Sequence, residues 1–405
     1  MKVALVSEWV DAWRGGAETS TRQFVYHLLD TGVELHLFTR SRPSPTPGLE
    51  VHSISGAALS RTRRSVTFAH RVVALLKEDD FDIVHAISPC LGADIYQPRG
   101  GTVAETIARN LALRRSPLAR RLKGYANRLN LKQRFQLSLE RQLLRDPQGP
   151  VVAALSDYVV SQLQEHYALP AVRIHKVFNG VDLPNTSAEQ RAADRRLIRR
   201  DFHAGEDDVV VLLVAHNFRL KGVRCWMQAH ARLLQQGCDW VRALVIGRGE
   251  NTRWHRLAAR LRLQRHLSFV GPSDRVPAFM HAADVLVHPT YYDPCSRVVL
   301  EGLATGLPCI TTRWDGAAEK VEDGRSGFVL AEPEDIDALV EHVRTLQDPQ
   351  RRRAMGDRGR RRADEWSMQR HAAEMVTLYR KLLTARSRRG PRPTPARVGR
   401  PAVAS

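Results

Sequence analysis

Short apolar runs and amphipathic stretches alternate along most of this chain. "KVALV" (residues 2–6) is continuous and β-branched-rich, the pattern of a parallel strand buried on both faces. A polar loop, "SEWVDAWRGGAE", follows. Residues 17–30 then place Phe24, Val25, Leu28 and Leu29 at helical spacing, and Gly32 ends that helix. "VELHLFT", "FDIVHAIS" and "PVVAALS" predict further buried strands, and "RIHKVFNGVD" a strand closed by an Asn179-Gly180 turn. Charged residues from Asn185 to Asp207 predict a linker and an entry helix. A second series begins with "VVVLLVAH", a helix over residues 222–236 and "RALVIG", and continues through "LSFVG", "DVLVHP" and "PCITT". "QRRRAMGDRGRRRADEWS" reads as a basic surface helix, and residues 368–384 as one more helix.

Strand–helix alternation in both halves predicts an α/β protein of two parallel, doubly wound domains. Ligands are then expected at the carboxyl ends of the strands, facing a cleft between the halves. The expected division is 1–184, 185–367, a helix 368–385 crossing back to the first domain, and a basic tail 386–405. That tail is rich in Pro, Gly and Arg and is expected to be disordered. A length of 405 residues, 43% of them hydrophobic, suits two such cores.

Charge narrows the partners. The formal net charge is +19, from 62 Lys and Arg against 43 Asp and Glu, which favours a phosphorylated ligand, an acidic membrane surface or nucleic acid. The five cysteines include no CxxC pair, so no thiolate zinc site or disulfide framework is expected and a reducing cytosol fits. Glu8 and Asp11 interrupt the N-terminus too early for a signal peptide's apolar core. No run of 18 apolar residues predicts a membrane span.

Three loops carry candidate chemistry. "RGGAE" sets Gly15 and Gly16 where the first strand hands over to its helix, so backbone can approach a phosphate or sugar closely. A bare helix lead-in explains the same pair. The GxGxxG fingerprint is absent, which argues against a nicotinamide enzyme. "AHNFRLKG" sets Arg219 and Lys221 past a strand end, where the two can neutralise a diphosphate or stand as solvated surface cations. "YYDPCSRVVLEGLATGLP" is the richest stretch. Pro294 suits the first turn of a helix, helical spacing runs over residues 296–305, and Gly306 ends it. Asp293 then lies just before the helix and Glu301 about two turns in. Both carboxylates share a side if the entry is helix-like. The backbone N–H groups around Cys295, Ser296 and Arg297 are expected to receive phosphate or sugar oxygens. Glu301 follows an apolar triplet and is expected to point into the cleft rather than into water. The plain alternative is a helix-start Asp and a Glu paired with a nearby Arg.

Together, "RGGAE", "FNGVD", "RLKG", "DPCSRVVLEGLATGLPCITT" and "GAAEKVEDGRSGFVL" resemble the retaining glycosyltransferases of family 4. The "HPTYYDPCSRVVLEGLATGLP" and "HAISPCLGADIY" stretches look like the lipopolysaccharide core glucosyltransferases within it. The resemblance implies the GT-B fold, a nucleotide-sugar donor (a UDP-sugar such as UDP-glucose), retention of configuration, and neither metal nor cofactor. It maps the family's paired carboxylates onto Asp293 and Glu301, with Asp293 on the donor sugar and Glu301 on the ribose. It implies that Arg219 and Lys221 hold the diphosphate, and that Gly15 and Gly16 leave room for it. The loop from Pro294 through Cys295, Ser296, Arg297 and Val298 joins the donor set. Glu319, in "GAAEKV", is a weaker candidate. Two departures stand out. The first carboxylate is Asp rather than Glu. The His that many relatives carry after an early strand is missing from "ADIYQPRGG", which offers Asp94 and Arg99. His85 is the substitute, as an acceptor or sugar contact or as a structural strand-end residue.

Residues 109–145 hold eleven Lys or Arg and one acid, Glu140, interleaved with leucines. Such a segment is expected to lie on an anionic membrane surface or to pack on the first domain. No nucleic-acid motif accompanies the charge, so nucleic acid is the weaker expectation. The reading is therefore a peripheral hexosyltransferase acting on a lipid-linked or envelope glycan at the inner face of the membrane. A degenerate GT-B scaffold protein is the competing class.

Overall fold

The computed structural model describes residues 1–11, 15–54, 61–114, 116–182, 185–249 and 251–387. Of the expected disordered tail, Arg386 and Ser387 instead end the helix Met368–Ser387, and the rest lies outside the described residues, as do Ala12 to Arg14 of the first loop. The chain forms two compact units: residues 1–180 with the chain from Met368 onward, and residues 181–367.

The N-terminal unit is built on seven strands: β1 (Lys2–Val6), β2 (Glu34–Thr39), β3 (Leu49–Ser53), β4 (Ile83–Ala86), β5 (Ile95–Tyr96), β6 (Val151–Ala154) and β7 (Ile174–Lys176). Their order is β3-β2-β1-β4-β5-β6-β7, and the paired strands run parallel. β3 is too polar to register as an apolar run: each of its residues is at least partly exposed. The helix Met368–Ser387 belongs to this unit. Its Met368, Ala372, Met375 and Tyr379 join Phe24, Leu28, Leu5 and Ile83 in one core.

The C-terminal unit holds β8 (Val209–Val214), β9 (Val241–Ile246), β10 (Leu267–Gly271), β11 (Val285–Val287), β12 (Cys309–Thr312) and β13 (Gly327–Leu330), ordered β10-β9-β8-β11-β12-β13. Strand order reverses between β8 and β11, and open α/β sheets bind ligands beyond the carboxyl ends at such a switch point. The "RLKG" loop follows β8 and the "TYYDPCS" loop follows β11, so the topology brings these two stretches together.

The basic segment folds as three helices, Val103–Ala112, Pro117–Leu129 and Leu131–Arg145. Its single acid is its anchor. Glu140 is fully buried and accepts hydrogen bonds from Tyr96 Oη at 2.8 Å, Val103 N–H at 2.8 Å and Tyr167 Oη. Leu139, Leu143 and Leu144 are buried beside it. The middle helix is the opposite case. Leu118, Leu122, Tyr125 and Leu129 are 66%, 65%, 68% and 72% exposed. The segment thus splits into a packed root and an exposed apolar stripe, rather than one or the other throughout.

Candidate active site

The β8 loop is fastened to the β11 loop by backbone. Tyr291 N–H donates to Leu220 O at 2.9 Å, and Thr290 Oγ1 lies 3.2 Å from the same oxygen. The approach needs Gly222: its φ is +68°, and a Cβ there would lie 1.9 Å from Pro289 O. Gly222 also opens the helix Val223–Gln235.

This contact sets Lys221 against Asp293. Lys221 Nζ donates to Asp293 Oδ2 at 2.5 Å and to Tyr292 O at 3.1 Å. His288 Nε2 lies 3.5 Å from the same carboxylate oxygen. Asp293 Oδ1 receives the Cys295 N–H at 3.3 Å. The Asp293 side chain is 16% exposed. Burial would raise its carboxyl, but the Lys221 ammonium and the His288 ring hold it well below the usual carboxylate range.

Behind Asp293 stands a second buried acid that the sequence reading did not single out. Asp315 is 1% exposed. Its Oδ1 accepts the Ser296 and Ala317 N–H groups, both at 2.9 Å. The Thr311 hydroxyl lies 2.8 Å from Asp315 Oδ2 and 3.2 Å from the His288 carbonyl oxygen. One hydroxyl proton serves only one of them. With Asp315 protonated at Oδ2, both contacts are made: Asp315 donates to Thr311, and Thr311 to His288. Burial and then the Asp293 charge push the Asp315 carboxyl up to about 6. The signal available in sequence was "WDG" at a strand end, where Asp caps the 3-10 helix Gly316–Lys320. Glu319, the acid chosen from that loop, is exposed.

Several expectations are corrected here. The helix is Arg297–Thr305, so Pro294 precedes its first turn, and Asp293 through Ser296 is not helical. The condition for two carboxylates on one helical side is therefore unmet. Glu301 is 27% exposed, and Arg297 Nη2 donates to its Oε1 at 2.6 Å, the Glu–Arg pairing of the plain alternative. The Cys295 and Ser296 N–H groups are taken by Asp293 and Asp315. The helix instead presents Ser296 Oγ, buried and without a hydrogen-bond partner among the described residues. It also presents first-turn amides such as Val298 N–H, which precede the first i→i−4 bond, made by Leu300. Arg219 sits half-buried in the β8 loop. Gly306 closes the helix in the left-handed conformation, φ +93°.

In the N-terminal unit, Gly15 is extended and Gly16 begins the helix Gly16–Leu29. The three polar residues expected as acceptor or sugar contacts each hold partners within this unit. His85 is fully buried, with Nδ1 2.7 Å from Tyr379 Oη; burial and the Arg99 charge pull its ring down to about 3. Asp94 accepts the Val84 N–H at 2.7 Å and pairs with Arg386. Arg99 is 4% exposed, donating to Ser20 Oγ at 2.6 Å and Gln97 Oε1 at 3.1 Å, with His371 Nε2 at 2.9 Å and the Phe24 ring beneath it. All three partners from the helix Met368–Ser387 arrive from nearly three hundred positions away, beyond the reach of local pattern.

Residues 194–362 match the family model of group 1 glycosyl transferases, and residues 14–184 that of glycosyltransferase family 4. The lipopolysaccharide glucosyltransferase WaaG of Escherichia coli (strain K12) is 25% identical over 368 residues, covering 90% of this chain and 95% of that protein. The MMP alpha-(1->4)-mannosyltransferase of Mycolicibacterium hassiacum is 27% identical over 336 residues, 78% of this chain and 75% of that one. Among solved structures, WaaG superposes with a TM-score of 0.76 at 22% identity over 93% of this chain and 99% of that chain. Anabaena HepE in complex with UDP-glucose gives 0.66 at 17% identity over 96% of this chain and 100% of that one. With each half matching its own model and two doubly wound units of the same fold as WaaG, the chain is a GT-B glycosyltransferase belonging to family 4 and group 1.

Proposed function

We propose that this enzyme transfers a hexose, with retention, from a nucleotide-sugar of the UDP-glucose class to a lipid-linked or cell-envelope glycan at a membrane surface. The observation that carries the reading is the Lys221–Asp293 contact at the switch point. An ammonium has three protons, and Lys221 commits two of them to Tyr292 O and Asp293. The third is available to a diphosphate oxygen, with Arg219 in the same loop. Two cations aimed at a leaving diphosphate stabilise the charge that grows on it, the electrostatic task a metal performs elsewhere. In this reading Asp293 receives donor-sugar hydroxyls, Glu301 the ribose, and Ser296 Oγ with Val298 N–H a phosphate oxygen. Pro294, Cys295 and Arg297 shape that loop. The donor is a substrate, and neither catalytic metal nor cofactor is invoked.

The named activities of WaaG and of the mannosyltransferase support hexose transfer. HepE, solved with UDP-glucose, supports the nucleotide. The lipid side rests on the exposed stripe of the helix Pro117–Leu129. Leu118, Leu122, Tyr125 and Leu129 recur at i, i+4, i+7 and i+11, and Arg120 and Arg121 flank them. No helix among the described residues is long and apolar enough to cross a membrane. In this reading the stripe lies on the lipid, at an anionic surface.

Glu301→Ala is expected to abolish turnover of UDP-glucose and related donors while the circular dichroism spectrum stays native; full activity would sink the donor assignment. Vesicles containing anionic lipid are expected to bind the protein and neutral ones not, with binding weakened by salt. Leu118→Ser with Leu122→Ser should cut that binding ~10-fold or more. Equal binding to both vesicle types would remove the electrostatic part.

A further inference from the structure

The edge of the N-terminal sheet carries a cluster that glycosyl transfer does not use. β2 contains Glu34-Leu35-His36, and the edge strand β3 contains Glu50-Val51-His52. Side chains two apart on a strand share a face. The parallel register pairs His36 with Glu50 and Phe38 with His52. The His of the first Glu-x-His therefore lies beside the Glu of the second, with His52 next along the same face.

The two ring nitrogens and the Glu50 carboxylate converge. His36 Nδ1 is 3.0 Å from His52 Nε2 and 3.4 Å from Glu50 Oε2, and His52 Nε2 is 3.4 Å from Glu50 Oε1. Zinc bonds imidazole nitrogen and carboxylate oxygen near 2.0–2.1 Å, so one edge of its tetrahedron measures about 3.3 Å. The nearest separations between the three groups are already of that size. The surroundings fix the rings as a metal site requires. His36 Nε2 lies 3.1 Å from Glu34 Oε1. A carboxylate accepts, so that nitrogen carries the proton, and Nδ1 turns its lone pair to the cluster. Phe81 meets the His36 ring edge-on at 5.2 Å, and Phe38 stacks on His52 at 4.3 Å. His52 donates Nε2–H to His36 in the metal-free protein. Moving that proton to its own Nδ1 frees a lone pair on Nε2 with no change of charge, and a rotation of the rings then turns both lone pairs to one ion.

The geometry points to a divalent transition-metal site, zinc in class, bound by His36 Nδ1, His52 Nε2 and a Glu50 oxygen, with water as fourth ligand. Two imidazoles and one carboxylate suit zinc rather than magnesium or calcium. The ion enters from solvent, since His52 is 28% and Glu50 62% exposed. Bound there, it cross-links edge strand β3 to β2 and stabilises the folded unit by mass action. The five cysteines are buried and take no part in the cluster, which separates this site from a thiolate one.

The full chain, stripped with chelator, is titrated with ZnCl2 alone and followed by calorimetry and thermal unfolding. Wild type is expected to bind one tight ion and to melt at a higher temperature when loaded. His52→Gln and Glu50→Gln, at the surface and compatible with folding, should each bind at least tenfold more weakly and lose most of the shift. Co2+ in place of Zn2+ should give a tetrahedral visible spectrum without thiolate charge-transfer bands. Equal zinc affinity and equal melting shifts in wild type and both variants, thiolate bands, or no tight binding at all would overturn the assignment.

Discussion

The two units both place polar residues at the ends of inner parallel strands and use them in opposite ways. In the N-terminal unit the charged Asp94 and Arg99 are answered from within, by Arg386 and His371 of the C-terminal helix, while the neutral His85 has Nδ1 beside Tyr379 Oη and Nε2 buried and unmatched among the described residues. In the C-terminal unit Lys221, His288, Asp293 and Asp315 answer one another across the switch point. There Lys221 keeps a donor and Ser296 Oγ stays unmatched among the described residues. A strand-end charge becomes chemistry only where the rest of the chain leaves part of it unsatisfied. Where a distant helix covers it, the same residue type becomes core.

Substitutions can break this contrast. The largest effect is expected from Lys221→Ala, which removes the ammonium from the leaving group. Turnover should fall roughly 10²–10³-fold in single-turnover assays, with a drop of only a few degrees in melting temperature. A variant that keeps its rate would move the diphosphate site elsewhere. Arg99→Ala should do the reverse. It removes the buried donor that Ser20 Oγ, Gln97 Oε1 and His371 Nε2 share and should cost about 3 kcal/mol in denaturant unfolding, while kcat per folded molecule stays within about twofold. Lost kcat at unchanged stability would restore Arg99 to the acceptor side and dissolve the contrast.

The smallest effect sharpens the charge cluster itself. Asp315 has its folded carboxyl raised from 3.8 to about 6. Between those values the folded state holds a proton that the unfolded state releases. Its contribution to stability is therefore full below the lower value and is lost as pH rises through the window. Asp293 is depressed instead, so its contribution is present above the usual carboxylate range and lost as pH falls below it. Asp315→Asn should flatten the stability–pH curve between about 4 and 6 and leave the acid limb in place. An unchanged slope there would mean that Asp315 is ionised throughout.

Much of the fold was legible because long apolar runs bury on both faces whatever their partners. β1, β2, β4, β6 and the inner strands of the second unit announce themselves in this way. β3 and the two-residue β5 did not. One is an edge strand of alternating polar residues, and the other is too short to show a period. The site was half legible. Lys221 and Asp293 followed from loops after strands, a local rule. Asp315 did not, because its importance lies in what Ser296, Ala317 and Thr311 donate to it. Glu140 was likewise visible only as a lone acid among cations, not as the anchor of a helix.

Local pattern alone decided that this chain would be two doubly wound α/β units, with a phosphate-ready loop after β8 and a carboxylate loop after β11. Strand periodicity and turn chemistry act over a few residues, and these features need nothing more. Tertiary structure decided which charges remain available. Satisfaction of a buried polar group depends on atoms brought in from far along the chain: Tyr379 to His85, Asp315 to Ser296, and β3 to His36.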